Sequence, residues 1–349
     1  MIASMKPPYD ITQKILKLIS SISEKIGEVN ANYLSKQSPQ LRKQNRIKTI
    51  HSSLQIEGNT LSEEQITALI ENKRVIGPAK DVLEVLNAIK VYEKLEEFKF
   101  SSDKSFLKAH FQLMDGLIES AGKYRKQGVG IVKGTKVEHI APSFENVPYL
   151  MKDLFEYLKD AEELTLIKSC VFHYEMEFIH PFLDGNGRMG RLWQTLILMT
   201  EYPVFELLPF ETLISKTQNE YYKSLALSDK SGKSTYFIEY MLEVIDKSLE
   251  NLLSYNNRIL KDIDRLEYFL TLGINDFNRK DYMNVFKDLS SATASRDLKK
   301  GVEMNLFESV GNLNKTFCPC CIAIKIITVT GLRFTGKSCQ NIFFSLCSL

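Results

Sequence analysis

Apolar residues recur every three or four positions along most of the chain, a period that predicts a mainly α-helical protein. From Asp10 to about Lys73 this spacing runs with little Gly or Pro, until Gly77-Pro78 breaks it. Val82, Leu83, Leu86, Ile89 and Tyr92 form one further stripe, and Ser105 to Ile118 the next. His110 falls among Phe106, Phe111, Leu113 and Met114 there, so packing is its expected role. Texture then changes. Gly128, Gly130 and Gly134 punctuate short Val- and Ile-rich runs, which predicts a β-hairpin turning near Lys133-Gly134. Pro148 to Leu158 and Leu164 to Phe178 read as helices again, the second with Ile167, Cys170, Val171, Tyr174 and Phe178 as its buried stripe. His173 lies one turn off that stripe, where a structural role is expected.

Past Tyr255 the pattern changes again to helix, turn and a Ser-capped helix beginning at Ser290 or Ser291. This resembles a winged helix-turn-helix with Arg296, Lys299 and Lys300 on its recognition helix. The expected organisation is an N-terminal helical region (1–80), a core (81–255), a winged helix-turn-helix (256–317) and a tail (318–349). Arg265 to Gly301 holds seven Lys/Arg against five Asp/Glu, a weak bias. Protein docking or dimer contacts therefore stand slightly ahead of DNA binding.

Composition narrows the class. A 44% apolar and 25% charged chain of 349 residues is an ordinary globular protein. Its net charge of +2 predicts no general pull toward nucleic acid or membrane. Neither a signal peptide nor a spanning segment is recognisable, so a cytoplasmic location is expected. Five of the six cysteines crowd into the tail as Cys318, Cys320, Cys321, Cys339 and Cys347, without a neighbouring histidine or a common zinc spacing. The tail also contains GLRFTGKS, a formal P-loop match. Too little chain comes after it for the strand and carboxylate that a P-loop requires.

The chemistry concentrates in IHPFLDGNGRMGR, Ile179 to Arg191. Pro181 biases His180 away from helical geometry and ends the preceding helix. Gly185 and Gly187 allow a tight turn whose amides form an anion nest. Leu192, Trp193, Leu196 and Ile197 then place a new helix from about Asn186, with its positive end toward the nest. Arg188 and Arg191 sit on the first turn of that helix, where the dipole disfavours cations unless an anion is expected. His180 is the candidate general base, because an imidazole titrates near neutral pH. Asp184 is a hard ligand suited to Mg²⁺. The 185–187 amides and the Asn186 side chain are candidates for phosphate oxygens, with Arg188 and Arg191 for the outer phosphates.

HPFLDGNGRMGR matches the Fic-family signature HPFx(D/E)GNGRxxR at every defined position. The resemblance implies a Fic-fold helical bundle with a hairpin flap, and transfer of AMP from Mg-ATP to a Ser, Thr or Tyr hydroxyl of a target protein, itself included. His180 would be the base, Asp184 the Mg²⁺ ligand and Gly185 to Arg191 the triphosphate cradle. HSSLQIEGNT similarly resembles the family's inhibitory motif (S/T)xxxE(G/N), with Ser53 and Glu57, and names Arg191 as the partner of Glu57. The resemblance further implies target-backbone pairing along Lys136, Val137, Glu138 and His139, and adenine stacking by Tyr221 or Tyr222. Alternatives are AMP removal, transfer of UMP, phosphocholine or phosphate, and a nucleotide-sensing DNA-binding regulator. A homodimer is compatible with all of them.

Overall fold

The computed structural model describes residues 6–32, 39–133, 136–257, 262–272, 274, 276–286, 289–310 and 323–326. It divides into two compact units, 1–253 and 254–349. The first is a helical bundle with one hairpin.

Helices α1 (Gln13–Asn32), α2 (Pro39–Ile56) and α3 (Glu63–Ile70) form the N-terminal region. They share one hydrophobic core with the later helices of the bundle, through Ile15, Ile22, Ile50, Leu54 and Ile66 among others. Helix α2 lacks a clean apolar stripe because part of its buried face is polar: Asn45, Thr49, Ser52 and Ser53 are all covered. It ends in a Schellman motif. The Asn59 amide donates to Leu54 O and the Gly58 amide to Gln55 O, with Gly58 at φ 89°. Glu57 is thereby fixed at the helix end. A capping box between Ser62 and Gln65 starts α3 directly afterward.

Helices α4 (Ala79–Glu93) and α5 (Asp103–Met114) pack together. On α4 the buried face runs through Glu84, Val85, Asn87, Ala88 and Tyr92, whereas Val82, Leu83, Leu86 and Ile89 are only half-buried. Periodicity selected the hydrophobes. The helix instead turns two polar residues inward, because Glu84 and Asn87 serve partners across the core.

Strands β1 (Gly130–Lys133) and β2 (Lys136–Ile140) form the expected antiparallel hairpin, with a register irregularity between Ile131 and Val132. The expected turn at Gly134 lies outside the described residues. After α6 (Val147–Tyr157), helices α7 (Thr165–Ile179) and α8 (Asn186–Met199) form the centre of the bundle and are buried on nearly all sides. Helices α9 (Glu211–Lys216), α10 (Gln218–Ser231) and α11 (Thr235–Asn257) complete the first unit, α11 running four residues past its boundary at 253.

Glu211, at the start of α9, is fully buried. Burial pushes its carboxyl up from 4.5 to about 8, against the opposing pull of Arg191 and Thr195. The native state therefore holds a proton that the unfolded chain releases above about 4.5, so this group's contribution to stability is lost as pH rises toward 8. Glu211→Gln should remove that slope, which is at most about 1.4 kcal/mol per pH unit. Denaturant melts at pH 5 and pH 8 will show wild type losing ground to the variant as pH rises.

The second unit contains α12 (Asp262–Thr271), β3 (Asp276–Phe277), α13 (Arg279–Val285), α14 (Ser291–Glu303), β4 (Phe307–Val310) and β5 (Ala323–Ile326). Its antiparallel sheet has the order β3-β5-β4. Phe269, Phe277, Tyr282 and Phe307 supply its core. Strand β5 lies within the segment expected to be tail. The boundary expected at 317 therefore falls short of the sheet's last strand, which apolar, cysteine-rich surroundings obscured. The tail cysteines and GLRFTGKS lie outside the described residues.

Candidate functional site

Helix α7 stops where Pro181 demands it. His180 caps it in the left-handed region, φ 50° and ψ 59°, an uncommon conformation for a residue other than Gly, although His shares with Asn and Asp a raised tendency to adopt it. Arg125 holds it there. This guanidinium, almost wholly buried, donates to His180 O at 2.8 Å, Ile179 O at 3.3 Å, Gln127 O at 2.9 Å and Pro142 O at 2.5 Å. It neutralises the carbonyl end of α7 and ties both feet of the hairpin to the histidine's backbone. Nothing in the spacing of AGKYRKQG pointed to it. Arg125→Ala should cost about 2–3 kcal/mol, because several carbonyls lose a charged donor together. Arg125→Lys should recover little of this, since one ammonium does not span four acceptors. Denaturant unfolding of both variants checks this.

The loop between α7 and α8 has its own support. His110 is fully buried and stacks on Phe182 with ring centroids 3.5 Å apart and an interplanar angle of 5°. Its Nδ1 accepts from the Gly122 amide at 2.8 Å, so Nε2 carries the proton toward Asp184 O at 3.0 Å. Burial lowers its pKa to about 4, so it stays neutral at working pH. The packing role expected of His110 is thus also a loop-shaping one. Asn186 likewise clamps the loop: its side chain donates to Phe182 O at 3.0 Å and accepts from the Phe182 amide at 2.9 Å. With both ends of its amide engaged, Asn186 shapes the nest and leaves anion contacts to backbone. Gly185 (φ 87°) is the N-cap of α8, which presents the free N–H groups of its first turn to the loop.

The two arginines have separate surroundings. Arg188 Nη2 meets Asp184 Oδ1 at 2.7 Å, and its Nη1 meets Glu84 Oε1 at 3.1 Å. Glu84 Oε2 in turn accepts from Asn59 Nδ2 at 2.8 Å, two residues beyond Glu57. Arg191 is fully buried against the end of α2. Its Nη2 pairs with Glu57 Oε1 at 2.7 Å and donates to Ser53 O at 2.9 Å, and its Nε donates to Ser53 Oγ at 3.1 Å. Burial disfavours the guanidinium's charge, but Glu57 more than compensates and the pKa is raised. Gly187 makes this possible. A Cβ there would collide with Glu57 Oε1 and stand 3.0 Å from Arg191 Nη1. Glu57 therefore rests over the first turn of α8, against the nest itself.

Asp184 is 42% exposed at the mouth of the loop, with Oδ1 engaged by Arg188 and by the Gly185 amide. Among the described residues no group of three His, Cys, Asp or Glu side chains could hold a metal by itself. A single accessible carboxylate suits an ion that arrives with nucleotide phosphates.

The candidate tyrosines separate. Tyr221 is 2% exposed and donates to His173 Nε2 at 3.0 Å, while His173 Nδ1 donates to Gln194 Oε1 at 2.7 Å. Tyr221 belongs to the core, and His173 has the structural role expected of it. Tyr222 is 43% exposed, and Gln218, which donates to Ile56 O, also reaches its hydroxyl at 3.4 Å. Of the two, only Tyr222 is placed to meet a ligand near Glu57. Lys136, Val137, Glu138 and His139 lie on β2, whose ladder runs to β1; their side chains lie outside the described residues.

The Fic/DOC family profile matches residues 100–198. The chain is 28% identical over 253 residues to Protein adenylyltransferase fic-1 of Caenorhabditis elegans, covering 68% of this chain and 47% of that protein. It is 27% identical over 263 residues to Protein adenylyltransferase Fic of Nematostella vectensis, covering 69% and 58% respectively. The chain thus spans about half the length of the curated relatives it matches. A solved structure of a Fic family protein from Desulfovibrio desulfuricans G20 aligns with a TM-score of 0.72 at 38% identity, over 94% of this chain and 100% of that one.

Proposed function

The chain belongs to the Fic family, and from that premise we propose that it is a protein adenylyltransferase restrained by its own Glu57. The observation that carries the proposal is the pairing of Glu57 with Arg191 over the N-terminus of α8. A guanidinium with no exposure is held by a carboxylate that is itself 28% exposed, in a nest suited to phosphate. Such a carboxylate is an exchangeable anion, standing where a nucleotide phosphate would bind.

In the proposed reaction the target hydroxyl oxygen attacks the α-phosphorus of ATP. His180 accepts the hydroxyl proton as the new P–O bond forms, and the bond to pyrophosphate breaks. The α8 amides and Arg191 carry the charge that collects on the departing phosphates. Mg²⁺ brought with the nucleotide would supply charge neutralisation beside Asp184. Arg125 keeps His180 at the end of α7 and holds the hairpin's feet beside it. Among the described residues β2 is paired only to β1, so its outer edge could take a target segment by strand addition.

The order α12-β3-α13-α14-β4-β5 supports a winged helix-turn-helix in the second unit. Its basic residues have local partners: Lys300 pairs with Asp262 at 2.8 Å, Lys299 faces Glu303 at 3.9 Å and Arg296 reaches Thr293. This favours docking of protein over a phosphate-reading surface, and a homodimer contact is one such use.

ATP labelled separately at its α- and γ-phosphates tests the reaction type. AMP transfer predicts protein-bound label from α-labelled ATP only. Label from the γ-position would replace this reading with phosphoryl transfer. Release of AMP from pre-modified protein would point to the reverse direction.

A further inference from the structure

A cavity of about 180 Å³ lies between α2, α4, α8 and α9, lined by residues that have no part in the proposed transfer. It is roughly six waters in size. Apolar side chains, Leu95, Phe205 and Leu208, make up part of its wall. Its polar groups are unusual. Glu211 and Tyr92 both line it, both are more than nine-tenths buried, and Glu211 Oε2 and Tyr92 Oη have no hydrogen-bond partner among the described residues. Native proteins rarely leave such groups unmatched. Glu93, Glu96 and Glu206 add three carboxylates to the lining; facing them are Arg46, 3.8 Å from Glu206, Arg42, 4.0 Å from Glu206, and the buried Arg191, whose charge acts on Glu211 from behind.

We propose that this cavity is a binding site for a small organic cation of the alkylamine class. Two buried oxygens without partners, further carboxylates at the rim and apolar walls suit an ammonium on a short methylene chain. An ammonium beside Glu211 would favour the carboxylate form, so Glu211 gives up its proton as the amine binds. The atoms balance: the amine enters as the ammonium, the protein retains the carboxylate, and one proton goes to buffer. The inference does not depend on the AMP-transfer reading, although Arg191 acts on Glu211.

Calorimetry with 1,4-diaminobutane on the full chain at pH 7, in buffers of different ionisation enthalpy, tests the site. The expected result is saturable one-to-one binding with net proton release. Glu211→Gln should weaken binding at least tenfold and abolish the release. The double variant Glu93→Gln, Glu96→Gln should weaken binding several-fold while leaving the release intact. Absence of saturable heat overturns the proposal, as does unchanged affinity in Glu211→Gln. If Glu211→Gln does not fold, the double variant decides, and unchanged affinity there overturns the site.

Discussion

Glu57→Gly should raise AMP transfer by at least tenfold while making the protein less stable in the absence of nucleotide. Both effects come from one fact: Arg191 is fully buried and Glu57 is its ionic partner. Removing one member of a buried pair typically costs about 3–5 kcal/mol, because the remaining charge is left uncompensated. The cost here belongs toward the lower end, since Glu57 is partly exposed and Ser53 still accepts from the guanidinium. A nucleotide phosphate can then take the vacated partner's place, so ATP should restore more thermal stability to the variant than to wild type. Glycine itself introduces little disturbance at a helix C-terminus. Thermal melts with and without Mg-ATP, beside initial labelling rates, read both effects. A tenfold change corresponds to about 1.4 kcal/mol, well within what that pair can supply.

His180→Ala should lower transfer by about 10²–10⁴, the range of a lost general base, in both the wild-type and the Glu57→Gly backgrounds. The fold should survive the change, because Arg125 anchors the backbone of residue 180 and not its side chain. Histidine already carries a Cβ in the left-handed region at this position, so alanine adds little backbone strain and the melting temperature should change little. A His180→Ala chain that binds ATP normally yet does not label would separate chemistry from binding. Labelling that persists would remove His180 from the base's role.

The sequence was most informative where neighbours in space are neighbours along the chain. His180 to Arg191 is one loop and one helical turn, so its glycines, proline and arginines could be read together. The hairpin and the helix starts at Asn186 and Ser291 were legible for the same reason. The approach of Glu57 to Arg191 crosses 134 positions and came only through resemblance to a family motif. Nothing local pointed to Arg125 or Glu84. Each is a polar residue whose partners lie on other elements, and periodicity rewards only hydrophobic ones. Asn186 looked like a phosphate ligand because its chemistry allows it, but Phe182's backbone occupies both of its polar ends. Tyr221 and Tyr222 could not be told apart by pattern, since adjacent helical positions differ only in which one the core absorbs. Strand β5 was assigned to the tail and not to the second unit's sheet, because its place at the middle of that sheet depends on β3 and β4, both upstream of it in the chain.

Competition between Glu57 and a nucleotide phosphate for Arg191 is the centre of the proposed mechanism. Initial rates of self-labelling by α-phosphate-labelled Mg-ATP, measured for wild type, Glu57→Gly and Glu57→Gly with Arg191→Ala, test it most directly. Competition predicts that Glu57→Gly labels at least tenfold faster than wild type and that adding Arg191→Ala cancels the gain. Equal rates for wild type and Glu57→Gly, or a gain that survives loss of Arg191, would contradict it.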